Sequence, residues 1–181
     1  MEVKIRTQST PNPYAIKFVS NATFKTSGKA TFSSLEECHH IPLALRILQT
    51  PNVMQIHFFD NSMTLTQNGI APWEDLTELV ERIIREEMGN HNPDFKSAEE
   101  MRRENLPEEL LDVEEILDQT IRPSLQMDGG DIEVLALDGN VLSVRYEGAC
   151  GSCPSSTGAT LDAIEGILRE RFREDIKVIP I

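Results

Sequence analysis

The sequence predicts an α+β protein of two small domains. The N-terminal one is expected in the order β-β-α-β-β-α and the C-terminal one in the order α-β-β-α-β, with a three-stranded sheet covered by two helices. Three observations point there. A chain of 181 residues with 39% hydrophobic content can fill modest cores but not one large one. Apolar periodicity lapses in "NHNPDFKSAEEMRRENL", which is polar and charged and suits a solvated linker with some helix in it. After that stretch a second, complete set of strand and helix patterns begins. The expected domains are therefore residues 1–89 and 107–181, joined by a linker over 90–106.

In the first half, "EVKIRTQ" and "YAIKFV" flank "STPNP", two partly alternating segments around a Pro and Asn turn, as in a hairpin. Leu43, Leu45, Ile47 and Leu48 then recur at helical spacing, with the well-formed helix starting at Pro42 because proline is tolerated in a first turn. The strands "VMQIHFF" and "MTLTQ" follow, joined by "DNS", where Asp60 and Asn61 suit a tight turn. From Pro72 to Met88, Leu76, Leu79, Val80, Ile83 and Ile84 share one side of an amphipathic helix opened by proline and closed by Gly89. Trp73, the single tryptophan, is expected to pack between this helix and its sheet.

The second half opens with Leu110, Val113, Leu117 and Ile121 at helical spacing after a proline and an acidic first turn. Pro123 ends that helix. "SLQMDGGD" turns the chain, Asp128 and Asp131 being read as turn formers beside two glycines. A hairpin joined through Asp138 and Gly139 comes next. Leu161, Ile164, Ile167, Leu168 and Phe172 then line a second helix, and "IKVIPI" supplies the last strand. The acidic residues over 108–118 read as a solvated face.

Charge and composition exclude several classes. Thirty acidic against seventeen basic residues give a formal net charge of -13, a field that repels nucleic acid and anionic membrane. No apolar run reaches the roughly 18 residues of a membrane span. "MEVKIRTQSTPNP" has neither the apolar core of a secretion signal nor the Arg and Ser bias of a presequence, so the expected compartment is the cytoplasm. Three cysteines, an odd number, do not form a disulfide framework; a reducing compartment would leave thiols for metal or redox chemistry.

Two of them, Cys150 and Cys153, lie in "EGACGSCPSSTGA", where the hairpin ends and a helix starting at Pro154 is expected. Unpaired N–H groups and the positive dipole end at such a place favour thiolate. Gly151 is expected to let the loop curl through a positive φ. An iron-sulfur cluster or a tetrahedral zinc takes about four ligands and this loop supplies two. A second copy of the chain would supply two more across a two-fold axis, which is the preferred source. Cys38 with His39 or His40 is another, although "CHH" reads first as a solvated helix start or packed edge. The alternatives are a thiol-disulfide pair, for which the flanking alanine and proline are poorly placed, and two buried structural cysteines.

The stretch "LQMDGGDIEVLALDGNVLSVRYEGACGSCPSSTGATLDAIEGIL" resembles the C-terminal domain of the NifU-like (Nfu) iron-sulfur cluster carriers. "TPNPYAIKF" and "FFDNSMTLTQN" before "WEDL" resemble the N-terminal domain that accompanies it. The resemblance implies a non-enzymatic carrier that holds a labile cluster between two subunits through Cys150 and Cys153 and passes it to apo-proteins. The cluster would be 4Fe-4S by analogy, although two pairs of thiolates could also hold 2Fe-2S. Its implied partners are a second copy, apo iron-sulfur clients and upstream assembly machinery, with no nucleic acid and no membrane. The resemblance implies no ligand from the N-terminal half, where the Cys-His-His at 38–40 departs from the small or acidic residues expected.

Overall fold

The computed structural model describes residues 2–151 and 157–181. Strands β1 (Ile5–Ser9), β2 (Ala15–Ser20), β3 (Lys25–Phe32), β4 (Val53–Asp60) and β5 (Ser62–Gln67) form one antiparallel sheet in the order β1-β2-β5-β4-β3. Helices α1 (Leu35–Cys38), α2 (Pro42–Leu48) and α3 (Trp73–Glu87) pack on it. Helix α4 (Ala98–Arg103) leads to α5 (Glu108–Gln119) and α6 (Arg122–Met127). A second sheet follows: β6 (Gly130–Asp138) runs antiparallel to β7 (Val141–Gly148), which runs parallel to β8 (Lys177–Pro180). Helix α7 (Thr157–Arg171) connects the last two strands. No helix among the described residues is long and apolar enough to cross a membrane.

The α+β class and the two-core organisation agree with the sequence. One core gathers Phe18, Phe24, Phe58, Ile47, Leu65, Val80 and Ile84; the other gathers Val113, Leu117, Ile132, Val144, Ile164, Leu168 and Ile176. The two do not merge. Trp73 packs on the first core, and its indole N–H donates to the Pro13 carbonyl at 3.2 Å. The C-terminal hairpin turns through Gly139, at φ +60°, and Asn140, with Asp138 paired to Val141. Asp138 is thus the last ladder residue, one position from where the sequence placed the turn.

The main addition is β3. Its sequence, KTSGKATF, carries two lysines and a glycine, and no element is expected there. In the sheet Ala30 and Phe32 point into the core while Lys29 and Thr31 alternate to the other face, as strand geometry requires. That other face is polar and covered. Lys17, Thr64, His57 and Thr31 are register partners across β2, β5, β4 and β3, one row that meets the C-terminal half.

The linker is more structured than its composition suggests. Ser97 and Glu100 form a reciprocal capping box for α4, satisfying N–H groups that a short helix otherwise leaves bare. Glu100 pairs with Lys25 at 3.0 Å, Arg102 pairs with Glu133, and Phe95 packs on the N-terminal core. The polar residues of 90–106 bridge the two halves as well as meeting water.

Candidate functional site

Cys150 follows the end of β7, and the geometry before it is set by glycine. Gly148 adopts φ +60°, and a Cβ there would lie 2.5 Å from the Gly129 carbonyl oxygen and 3.1 Å from Gly130 Cα. The strand end thus passes hard against the turn from Asp128 to Asp131. Ala149 N–H donates to that same Gly129 carbonyl at 3.0 Å, and Gly151 N–H donates to Gly148 at 3.1 Å. The left-handed residue expected at Gly151 is instead Gly148; Gly151 has no positive φ. The curl therefore starts two residues before Cys150 rather than after it.

Cys150 turns inward. Its side chain is 6% exposed and belongs to the C-terminal core. A Cβ on Gly130 would lie 2.2 Å from Cys150 Sγ, so the sulfur occupies the space that any other residue at 130 would fill. Tyr146 lies beside it, its pKa pushed up to about 12 by burial and by the proximity of Cys150. Cys153, Pro154 and the serines at 155 and 156 lie outside the described residues, and so does the expected helix start at Pro154.

Asp131 is a correction to the sequence reading. It is fully buried, at 0% exposure, and serves as an ion-pair partner rather than a turn former. Glu147 stands opposite it on β7 in register, an arrangement of like charges that is destabilising by itself. Lys29 Nζ from β3 lies 3.2 Å from Asp131, 2.7 Å from Glu147 and 3.3 Å from Glu99, and donates to the Ile132 carbonyl at 2.8 Å. Arg122 supports Asp131 from the other side, donating from Nε at 3.2 Å, and also pairs with Glu114 at 2.5 Å. Glu114 is 2% exposed, so the acidic helix α5 is not a uniformly solvated face.

The charges sort by supply. Although burial works against ionisation, the Lys29 and Arg122 charges hold Asp131 below the usual carboxylate range, and Lys29 does the same for Glu147. Burial, with too little cation left over, raises Glu99 to about 8. Thr31 Oγ1 lies 2.9 Å from His57 Nδ1. His57 Nε2 is buried without a hydrogen-bond partner among the described residues, and burial lowers the imidazole pKa.

Cys38 is sealed in the N-terminal core at 0% exposure, its sulfur directed at the Ser34 and Leu35 carbonyls. Burial and Glu37 push its thiol pKa up. His39 bonds the Glu36 carbonyl at 2.8 Å. In the Cys-His-His stretch Cys38 is packed while His39 and His40 are exposed, and no group of three His, Cys, Asp or Glu side chains among the described residues could hold a metal ion.

Sequence reasoning passed over Asn12, Lys29 and Gln55. Asn12 Nδ2 donates to the Ala149 carbonyl at 2.9 Å, and Gln55 Oε1 accepts from Gly148 N–H at 2.9 Å. Asn12 had a signal, the Pro-Asn-Pro at 11–13; Lys29 and Gln55 had none, since a lone polar residue in a strand normally faces water.

An acidic α+β chain with two separate cores, and with Cys150 at the end of the second strand of its smaller sheet, is what these elements define. Residues 113–179 match the family described as NifU-like domain, and residues 5–91 match the family described as scaffold protein Nfu/NifU N terminal. The chain belongs to the Nfu family. Similar curated proteins include one named NFU1 iron-sulfur cluster scaffold homolog, mitochondrial, from Drosophila willistoni, 29% identical over 91% of this chain and 59% of its own length. Another, NifU-like protein 5, mitochondrial, from Arabidopsis thaliana, is 29% identical over 94% of this chain and 65% of its own length. The chain thus spans about three fifths to two thirds of these relatives. Their names place them in mitochondria, in contrast with the cytoplasm expected from composition. A solution structure of a NifU-like protein from Saccharomyces cerevisiae is also similar, with TM-score 0.46 and 23% identity over 53% of this chain and 86% of that one.

Proposed function

We propose that this chain is an iron-sulfur cluster scaffold and carrier, holding a labile cluster between two copies of itself through Cys150 and Cys153 of each and passing it to apo-proteins. One observation carries the reading: of the chain's three cysteines, Cys38 is locked in the opposite core, so the Cys-x-x-Cys loop must find its remaining ligands on another molecule. A cluster takes about four thiolates, and a two-fold pairing of the loops supplies four. The names of the fly and plant relatives as scaffold and NifU-like proteins support the same reading.

The chemistry asked of the protein is ligation and release. Cys150 and Cys153 act as thiolates, and no side chain needs to act as acid or base, so the role is non-enzymatic. A cluster at a seam between two chains is open to incoming client thiols, and ligand exchange proceeds one cysteine at a time, as in thiol exchange. The cargo is taken as 4Fe-4S, with 2Fe-2S the alternative. Upstream assembly machinery supplies it and apo iron-sulfur clients receive it.

The test is anaerobic reconstitution with iron and sulfide, followed by absorption spectroscopy and sizing of the wild type and Cys153→Ser. The wild type is expected to turn brown and dimerise, and the variant to do neither. A full cluster on a dimer of Cys153→Ser, or on a solitary wild-type chain with no external thiol, overturns the proposal. Tight stoichiometric zinc with chelator-induced unfolding would mark a zinc module instead.

A further inference from the structure

We propose that the N-terminal half is a clamp acting on the end of β7 in its own chain, holding Cys150 turned inward, and that this clamp must open before Cys150 can meet a second chain. The role of opening in cluster loading rests on the carrier reading; the clamp itself does not.

Among the described residues, the contacts to this strand end come from one face of the N-terminal sheet and from Asn12 in the turn between β1 and β2. Lys17 Nζ donates to the Gln126 and Met127 carbonyls at 3.0 and 3.3 Å, on the approach to the glycine turn. A Cβ on Gly129 would meet Thr64 Oγ1 at 2.8 Å, and one on Gly148 would meet His57 Cδ2 at 3.3 Å. Thr31 lies beside Glu147. These four residues are the cross-strand row described above, and it lies along the turn and the strand end that form the recess for Cys150. Gln55 and Asn12 then take the backbone of Gly148 and Ala149, and Lys29 takes Asp131 and Glu147.

The joint is built to open. Its named contacts are hydrogen bonds and ion pairs, and the two apolar cores remain separate clusters. Interfaces of this polar kind between domains permit relative motion, whereas large apolar ones do not. Clefts of about 330 and 220 Å³ flank it, the first reaching Gln55, Glu99 and Glu147 and the second reaching Lys29 and Asp131. On separation Lys29, Asp131 and Glu147 exchange one another for water, which hydrates all three well. A buried ion pair is a poor source of net stability and a good device for fixing one arrangement.

The experiment is alkylation of the reduced, metal-free full chain with iodoacetamide, read cysteine by cysteine from fragment ions in the mass spectrometer so that Cys150 is separated from Cys153, for the wild type and for Asn12→Asp with Gln55→Leu. Aspartate keeps the acceptor that Tyr14 N–H uses at 2.9 Å but places an oxygen against the Ala149 carbonyl. Leucine removes the acceptor for Gly148. Cys150 is expected to react about tenfold faster in the double variant, a shift of about 1.4 kcal/mol in the closed form, while Cys38 stays protected. Equal Cys150 rates overturn the clamp. If Cys38 also becomes reactive the double variant has lost its fold, and Gln55→Leu alone is then judged by the same two criteria. Because no iron is present, equal rates leave the carrier proposal to its own reconstitution test, and a failed reconstitution leaves the clamp standing.

Discussion

Asp131 and Glu147 face each other across the β6–β7 ladder, both buried, and the cation that lies 3.2 and 2.7 Å from them comes from a strand a hundred residues earlier in the chain. The hairpin that leads into the cysteine loop is therefore electrostatically incomplete without the N-terminal sheet, whatever the loop binds.

Lys29→Met tests that dependence. It takes the Lys29 cation from Glu147 while Asp131 keeps Arg122, and breaking a buried pair by removing one partner costs about 3–5 kcal/mol. Urea unfolding followed by tryptophan fluorescence, which reports Trp73 in the N-terminal half, and by far-UV circular dichroism is expected to give one coincident transition in the wild type. Two separated transitions are expected in the variant.

Glu99 sets the alkaline side of the pH profile. Its carboxyl titrates at about 8 in the folded chain and in the ordinary carboxylate range when unfolded. Between those values the folded chain holds a proton the unfolded chain has lost, so stability falls as pH rises from about 5 to 8. Asp131 and Glu147, both depressed, act in the opposite sense: their contribution is present above the ordinary range and is lost as pH falls below it. Glu99→Gln, a mimic of the protonated acid, is expected to remove the alkaline decline, on the order of 2 kcal/mol. Melting temperatures at pH 5, 7 and 9 check it; an unchanged slope refutes the assignment.

Gly130→Ala places a methyl where Cys150 Sγ now lies, 2.2 Å away. Overpacking of this kind costs about 1–3 kcal/mol, and relief requires Cys150 to leave its recess. Thermal unfolding is expected to show the loss, and the alkylation rate at Cys150 is expected to rise.

Gly148→Ala and Gly166→Ala form a contrasting pair. Gly148 has φ +60° and a carbonyl 2.5 Å from the new methyl, while Gly166 lies within α7 with nothing within 4 Å. The first is expected to destabilise by more than about 2 kcal/mol and the second to stabilise by roughly 0.5–1 kcal/mol. Thermal unfolding of both reads the difference.

What the sequence determined by itself is whatever local periodicity encodes. The apolar stripe from Leu76 to Ile84 and the Asp-Gly hairpin signal at 138 and 139 each depend on neighbours within a few residues. What only the tertiary structure decided is the fate of isolated polar residues. KTSGKATF carries no strand signal of its own, and its lysines find carboxylates from α4, β6 and β7. Asp131 reads as a turn former until Arg122 and Lys29 close on it, and Glu114 reads as solvated until Arg122 reaches it. The physical reason is common to all three: burying a charge is unfavourable unless a partner is at hand, and here the partners lie on other elements, some of them in the other half of the chain, where no local pattern records them.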